Sequence, residues 1–221
     1  KQKYMKIPIA NEGFMFIIPL LFITVLTYVI SFYWTAGIFG LGFLFVTWFF
    51  RDPERIIPDE PNVIVSPADG KITEIVLETE PINGELCKRV TIFLSVFNVH
   101  VNRVPISGTI EDIRYNPGKF LAAFNPKASM DNEQNIITIK SGNVKILVKQ
   151  IAGLIARRIV CWPKKGDYYK SGQRYGLIRF GSRVDILLPE NTKLLVACGD
   201  RVIGGNSIIG HLIPSEIKVT E

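Results

Sequence analysis

"FMFIIPLLFITVLTYVISFYWTAGIFGLGFLFVTWFF", Phe14 to Phe50, contains no Asp, Glu, Lys or Arg. About 20 apolar residues at 1.5 Å each cross a bilayer core, so Phe14 to Tyr33 is long enough for one span. A break expected at Trp34-Thr35-Ala36-Gly37 leaves Ile38 to Phe50, which reaches only about 20 Å and crosses with local thinning, re-enters or lies in the interface. Positive charge flanks both ends, with Lys1, Lys3 and Lys6 before and Arg51 and Arg55 after, and the middle turn carries none. The positive-inside rule therefore places both ends in the cytoplasm and makes residues 14–50 a transmembrane α-hairpin. Tyr33 and Trp34 would mark the far interface and Trp48 the near one, while Gly37, Gly40 and Gly42 would let the helices approach closely. A single anchor followed by an apolar core segment is the alternative. The stretch is too long for a signal-peptide core and lacks a small-residue cleavage site after it. The chain begins with Lys1, which reads as a processed start or as Met5 being the initiator.

Outside this anchor, residues 1–50, the other residues of the 221-residue chain have a soluble protein's composition. At 48% hydrophobic residues the chain is not a disordered one. The net charge of +6 comes without a compact Lys/Arg run or a recognition motif, which argues against nucleic acid and suits an anionic lipid surface. Cys87, Cys161 and Cys198 are odd in number and far apart, so they are expected to be buried reduced thiols in a reducing compartment.

From Arg51 onward short β-runs alternate with Gly, Pro, Asn and Asp. Strands are expected at Val63–Val65, Lys71–Leu77, Val90–Phe97, Gly108–Tyr115, Ile136–Ile139, Val144–Gln150, Ile155–Cys161, Leu177–Phe180, Val184–Leu188 and Lys193–Val196. The fold class is mainly β, a compact barrel or sandwich over residues 51–221 behind the helical anchor. Asn116 to Asn135 breaks the pattern as a long loop carrying Phe120, Leu121 and Phe124, suited to a lipid interface or to packing beneath the loop.

The chemistry is not announced by a common motif. There are two histidines, His100 and His211, and no C-x-x-C pair, so a metal centre is not expected. His211, in an apolar C-terminal run, reads as structural. "GDRVIGGNSIIG", Gly199 to Gly210, and "SPADGKI", Ser66 to Ile72, resemble the turns of lipoyl-like hybrid-barrel modules, which points to a hybrid-barrel-like fold and not to a carrier. "RYGLIRFGSRVDILLP", Arg174 to Pro189, sets Gly181-Ser182 between two apolar β-runs, where taken alone it reads as a common turn dipeptide.

Six phrases in order change that reading: "FFRDPERIIP" (Phe49 to Pro58), "SPADGKI", "FNVHVNRVPISG" (Phe97 to Gly108), "NPGKF", "KASMDNEQN" and "YGLIRFGSRVDILLP". From about Glu12 to Leu212 the chain resembles the short form of the phosphatidylserine decarboxylase proenzymes, which also begin with an apolar membrane segment.

The resemblance implies an enzyme that cuts itself between Gly181 and Ser182 and turns Ser182 into a pyruvoyl cofactor, leaving chains 1–181 and 182–221 held together by a shared sheet. Ser182 would supply the attacking hydroxyl, and Gly181 a backbone without a Cβ. A Schiff base between the pyruvoyl carbonyl and the serine headgroup would then allow phosphatidylserine to lose carbon dioxide and leave as phosphatidylethanolamine. No metal is implied, and the partners are phosphatidylserine, the lipid bilayer and the cleaved fragment. The implied location is the cell membrane, with the catalytic domain facing the cytoplasm. A homo-oligomer is compatible with the sequence, which contains nothing that sets it.

The family phrases also assign helpers. Asp69 matches the Asp of the family's S-P-A-D-G phrase, and His100 the His five positions before Pro105. Longer members carry a second His where this chain has Arg103, so the cleavage base is open between His100, oriented by Asp69, and another group. The alternatives are a turn-shaping Asp69 and a sheet histidine at His100. Arg103, Arg179 and Arg183 are candidates for the lipid phosphate or serine carboxylate, against solvated surface charge. Two other functions stay open at this point: archaetidylserine decarboxylation by the same chemistry, and a non-catalytic membrane-anchored hybrid-barrel adaptor.

Overall fold

The computed structural model describes residues 8–79, 84–118, 132–153, 158–179 and 181–213. They fall into two compact units, residues 1–54 and 55–221.

In the first unit a short 3-10 turn, Asn11–Gly13, leads into α1 (Phe14–Val29), which is followed by α2 (Tyr33–Phe49). The reversal lies at Ile30–Phe32, where Ser31 takes a left-handed φ of 64° and the Phe32 N–H donates to the Thr27 carbonyl at 2.8 Å. The expected break at Trp34–Gly37 is thus corrected: those residues open α2, because nothing in Trp-Thr-Ala-Gly forbids a helix and Ser31 has already turned the chain. Gly40 and Gly42 meet α1 at ordinary contact distance, near Thr24 and Leu20, whereas Gly37 faces open space. The ends are tied by the Ala10 N–H on the Phe50 carbonyl at 2.8 Å and the Asp52 N–H on the Pro8 carbonyl at 2.7 Å. Apolar side chains such as Met15, Phe22, Val29, Trp34, Ile38 and Leu41 point outward all round the pair. A helix apolar on every side belongs in a larger core or in lipid. Asn11–Val29, at 19 residues, is long and apolar enough to cross a membrane, and α2 is shorter.

The second unit is antiparallel β-structure throughout its described strands. They are β1 (Val63–Val65), β2 (Gly70–Thr79), β3 (Leu86–Leu94), β4 (Val101–Arg103), β5 (Gly108–Asn116), β6 (Gln134–Ser141), β7 (Val144–Ala152), β8 (Ile159–Cys161), β9 (Tyr168–Tyr169), β10 (Arg174–Ile178), β11 (Ser182–Pro189), β12 (Lys193–Leu194), β13 (Arg201–Val202) and β14 (Ile208–His211). Eight form one curled sheet in the order β13-β2-β3-β11-β7-β6-β5-β9, and two three-stranded sheets, β4-β10-β8 and β1-β14-β12, complete the unit. The mainly β, barrel-like reading holds, with the large sheet curled into a half-barrel.

The period-2 pleat explains the core. Along β11, Val184, Ile186 and Leu188 enter one buried cluster with Val90, Ile92 and Leu94 of β3 and Ile146 and Val148 of β7. Leu187 faces the other way, into a small cluster with Cys87 and Leu147. Residues with alternating faces on a central strand must be buried on both sides, as the near-continuous apolar run of β11 requires.

Several boundaries differ from expectation. β3 stops at Leu94 because a Ser95–Asn98 turn follows, and β4, β9, β13 and β14 were not anticipated as separate strands. Phe180, residues 155–157 of the strand expected at Ile155–Cys161, and Phe120, Leu121 and Phe124 lie outside the described residues. The cysteine expectation needs correction: Cys87 is buried, Cys161 is half-buried and Cys198 is exposed on a turn. Burial pushes the Cys161 thiol up from its ordinary value.

Candidate active site

Ser182 is the first residue of β11, placed between Leu94 of β3 and Ala152 of β7. It is fully buried, and its Oγ has no hydrogen-bond partner among the described residues. A buried hydroxyl normally finds a partner, and Tyr175 and Thr192 carry the other buried hydroxyls left without one among the described residues. Gly181, just before it, has φ +67°. A Cβ there would meet only Val96 Cγ1, at 4.0 Å, so glycine is required by the left-handed backbone and not by lack of space.

His100 comes from the other layer, immediately before β4. Its Nε2 lies 3.3 Å from the Gly181 nitrogen, and its Nδ1 lies 2.9 Å from the Asn98 carbonyl oxygen. The carbonyl can only accept and the Gly181 N–H can only donate. The ring therefore carries its proton on Nδ1 and presents a lone pair at Nε2, the tautomer of a general base. Asn98 is itself fixed, since its side-chain oxygen accepts from the Ser95 N–H at 2.9 Å and from Ser95 Oγ at 2.8 Å. This four-residue turn is the orienting device that the sequence reading missed; the signal for it was the Ser-x-x-Asn spacing at Ser95 to Asn98.

Asp69 has other partners. Its Oδ2 forms an ion pair with Arg55 at 2.8 Å, and its Oδ1 accepts from the Gly204 N–H at 2.8 Å. It fastens the Ser66–Asp69 turn to the chain entering the unit and to the turn after β13. The arginines divide in the same way. Arg103 is buried, with Nη1 donating to the Gly172 carbonyl at 3.0 Å. Arg183 lies on the opposite face of β11 from Ser182 and is gripped by both oxygens of Asp185 at 2.7 and 2.9 Å, with Thr91 as a third partner at 3.2 Å. Arg179 is half-buried, its N–H donating to the Arg158 carbonyl at 3.3 Å. The structure thus brings Gly181, Ser182 and His100 together, turns Arg183 away, and gives Asp69 and Arg103 bonds within the frame.

The sequence profile of the phosphatidylserine decarboxylase family matches residues 43–210. The chain belongs to this family. It is 48% identical over 206 residues to the phosphatidylserine decarboxylase proenzyme of Geotalea uraniireducens (strain Rf4), covering 93% of this chain and 97% of the relative. The proenzyme of the same name from Syntrophus aciditrophicus (strain SB) is 47% identical over 208 residues, covering 91% and 96%. That from Wolbachia pipientis wMel is 47% identical over 217 residues, covering 95% and 94%. The family match takes in both His100 and the Gly181-Ser182 pair.

Within this family member the phrase "KASMDNEQN" supplies buried polar side chains beside the site. Asn132 Nδ2 donates to the Ala152 carbonyl at 2.7 Å, and Glu133 Oε1 accepts from Tyr115 OH at 3.0 Å and from the Ile159 N–H at 3.3 Å. Burial, followed by the Glu133 hydrogen bond and charge, raises the Tyr115 hydroxyl above its ordinary value. Asn135 bonds Gln150 at 3.1 Å, and Gln150 bonds Asn102 at 2.8 Å, joining β6 and β7 to β4 through the core. Asn102 lies two residues from His100, so this chain of amides ties the layer that carries the imidazole to the sheet that carries Ser182. Their runs of Asn and Gln were visible in the sequence, but their partners lie on strands far away in it.

Proposed function

We propose that the protein decarboxylates phosphatidylserine to phosphatidylethanolamine with a pyruvoyl group that it makes from Ser182. The observation carrying this reading is two adjacent residues: a left-handed Gly181 with a lone pair of His100 against its N–H, one peptide before the bond to be cut, and a buried Ser182 whose hydroxyl has no partner among the described residues. The relatives' description as proenzymes supports a chain that matures by cutting itself.

In maturation, Ser182 Oγ attacks the Gly181 carbonyl carbon, the hydroxyl proton passes to a base, and the C–N bond breaks as the Ser182 nitrogen regains a proton. An ester now replaces the amide. Loss of the Ser182 α-proton with cleavage of the Cβ–O bond frees the Gly181 carboxylate and leaves dehydroalanine. Water converts this to the pyruvoyl group and ammonia. His100 is the base at hand, with its tautomer fixed by Asn98 and its accepting nitrogen beside the reacting peptide. The residues fit the group, since the serine is held on a central strand with its hydroxyl unpartnered among the described residues. When formed, a pyruvoyl group supplies a carbonyl that takes up the electron pair left by departing carbon dioxide. His100 then holds a proton close to the same atoms, and the apolar walls from Leu94 and Ala152 keep bulk water away.

The apolar helix pair serves in this reading as the membrane anchor, with the lysines and arginines at its two ends on the cytoplasmic side, so that the β unit works on the inner leaflet. Intact-mass measurement tests the reading. The purified chain is expected as two pieces divided between Gly181 and Ser182, the smaller one with a blocked amino end, and Ser182→Ala as one whole, inactive chain. A whole wild-type chain that still decarboxylates the lipid would overturn it.

A further inference from the structure

The cross-strand register places Glu133 beside Ser182. Gln134 pairs with Ile151, so Glu133 stands opposite Ala152, and the Ala152 N–H donates to the Glu133 carbonyl at 2.9 Å. Ala152 in turn stands opposite Ser182. Glu133, Ala152 and Ser182 form one row across three adjacent chain segments, about 10 Å from end to end at the usual strand spacing. The only side chain between the ends is a methyl group.

A matching row runs along the other layer. The Ile178 N–H donates to the His100 carbonyl at 3.3 Å, and Ile178 pairs with Ile159. His100 and Ile159 therefore lie at opposite ends of the upper row, as Ser182 and Glu133 do of the lower one. His100 reaches across to the Gly181 N–H, and Glu133 Oε1 reaches across to the Ile159 N–H. The two side chains cross the gap between the layers on either side of Ala152, which packs in the apolar core with Ile159 and Ile178.

Only half of the Glu133 carboxylate is used. Oε1 has Tyr115 and Ile159, but Oε2 is buried without a partner among the described residues, in a side chain 4% exposed. An unfilled carboxylate oxygen away from water is costly unless a donor arrives. The matching donor is a primary amine, which offers up to three N–H groups to a carboxylate.

We infer that Glu133 receives the amino group of the incoming lipid and holds it in the gap beside Ser182. This rests on the pyruvoyl reading above, in which that amine must reach Ser182. Glu133 is then a substrate-binding residue, selective for a free amine over an N-acylated headgroup, with Tyr115 and the Ile159 N–H fixing its carboxylate.

The test uses the full chain in mixed micelles with a short-chain phosphatidylethanolamine as an amine probe. Cyanoborohydride reduction attaches the probe covalently to the 182–221 fragment, and mass spectrometry reads the yield. Glu133→Gln keeps the shape and the acceptor for Tyr115 and Ile159 while replacing the second oxygen with a donor. It is expected to cleave at the wild-type rate, to capture the probe about 10- to 100-fold less well at low concentration, and to show a KM for phosphatidylserine raised more than its kcat is lowered. This is the range of one hydrogen bond to a charged group. Glu133→Asp, which keeps the charge, should recover part of the capture. Wild-type capture by the Gln variant would overturn the inference. Loss of cleavage in both variants would also overturn it, by assigning Glu133 to maturation or to folding. An uncleaved wild-type chain would instead bring down the pyruvoyl reading, without any Glu133 variant being needed.

Discussion

The two faces of β11 begin with consecutive residues and are built by opposite rules. On the outer face Arg183 is satisfied by both oxygens of Asp185 and by Thr91, and Thr91 is shared with Arg89, which itself binds Glu74 at 2.7 Å and Glu78 at 2.8 Å. On the inner face Ser182 has an unpartnered hydroxyl and Glu133, in the same row, an unpartnered oxygen. Charge alone made the arginine the more conspicuous candidate for binding. Satisfaction reverses the order: a network with its donors and acceptors matched stitches β2, β3 and β11 together, and the unmatched atoms opposite are the ones available to react or bind.

The comparison breaks most sharply at His100. His100→Ala removes the only base that the described residues bring to the Gly181 N–H, so cleavage should slow about 100- to 10,000-fold, measured as a half-time by gel. The outer network should remain intact, and an unfolding midpoint near that of Ser182→Ala would show it. Normal cleavage in His100→Ala would remove the imidazole from maturation.

Asp185→Ala attacks the other face. It leaves Arg183, 8% exposed at its side chain, without its buried counter-ion, a change that typically costs about 3 to 5 kcal/mol. Urea unfolding in the uncleaved Ser182→Ala background should register most of that loss. A change below about 1 kcal/mol, the range of an exposed pair, would show that the ion pair is not structural.

Gly181→Ala should have the smallest effect on stability. With φ +67° and nothing closer than 4.0 Å to the added Cβ, the substitution carries backbone strain alone, about 1 to 2 kcal/mol. Calorimetry in the same uncleaved background should find a Tm lower by several degrees. An unchanged Tm would mean that the left-handed conformation at Gly181 is not needed in the folded chain.

Much of this was legible before any coordinates. A charge-free stretch must be helical wherever it is kept from water, and the helix pair follows, although its turn is made by Ser31 and not by the glycine-bearing Trp34–Gly37. Short apolar runs between turn residues exposed the long strands β2, β5, β7 and β11, but β9 and β13 have two residues each, too few to show a period. Gly181 and Ser182 stood out through the order of phrases around them. The Asn98 carbonyl on His100 did not, because a main-chain group leaves no mark on residue type and only the Ser-x-x-Asn spacing hints at the turn that holds it. Arg183 and Asp185 were readable in principle: two residues apart on a strand they share a face, and their opposite charges predict the pair. Glu133 was not, since Tyr115, Ala152 and Ile159 come from β5, β7 and β8 and meet only in the folded sheet.

The position of β11 also bears on how the molecule ages. Residues 182–213 supply a middle strand of the large sheet, β13 at its edge, and β14 beside β1 with β12 beyond it. A cut before Ser182 would leave this segment woven through both sheets, so the pieces would stay together as long as the fold lasts. Yet each piece would lack strands that the other holds. Once melted, the cut protein would have to reassemble by collision of two chains, a concentration-dependent search in place of a first-order one. The Gly181 N–H, one peptide before the bond to be cut, meets His100 across the two layers, a contact that needs the folded unit. Cleavage would then act as an inspection passed once: a chain must already be folded to receive its reactive group, and having received it, has no second chance to fold alone.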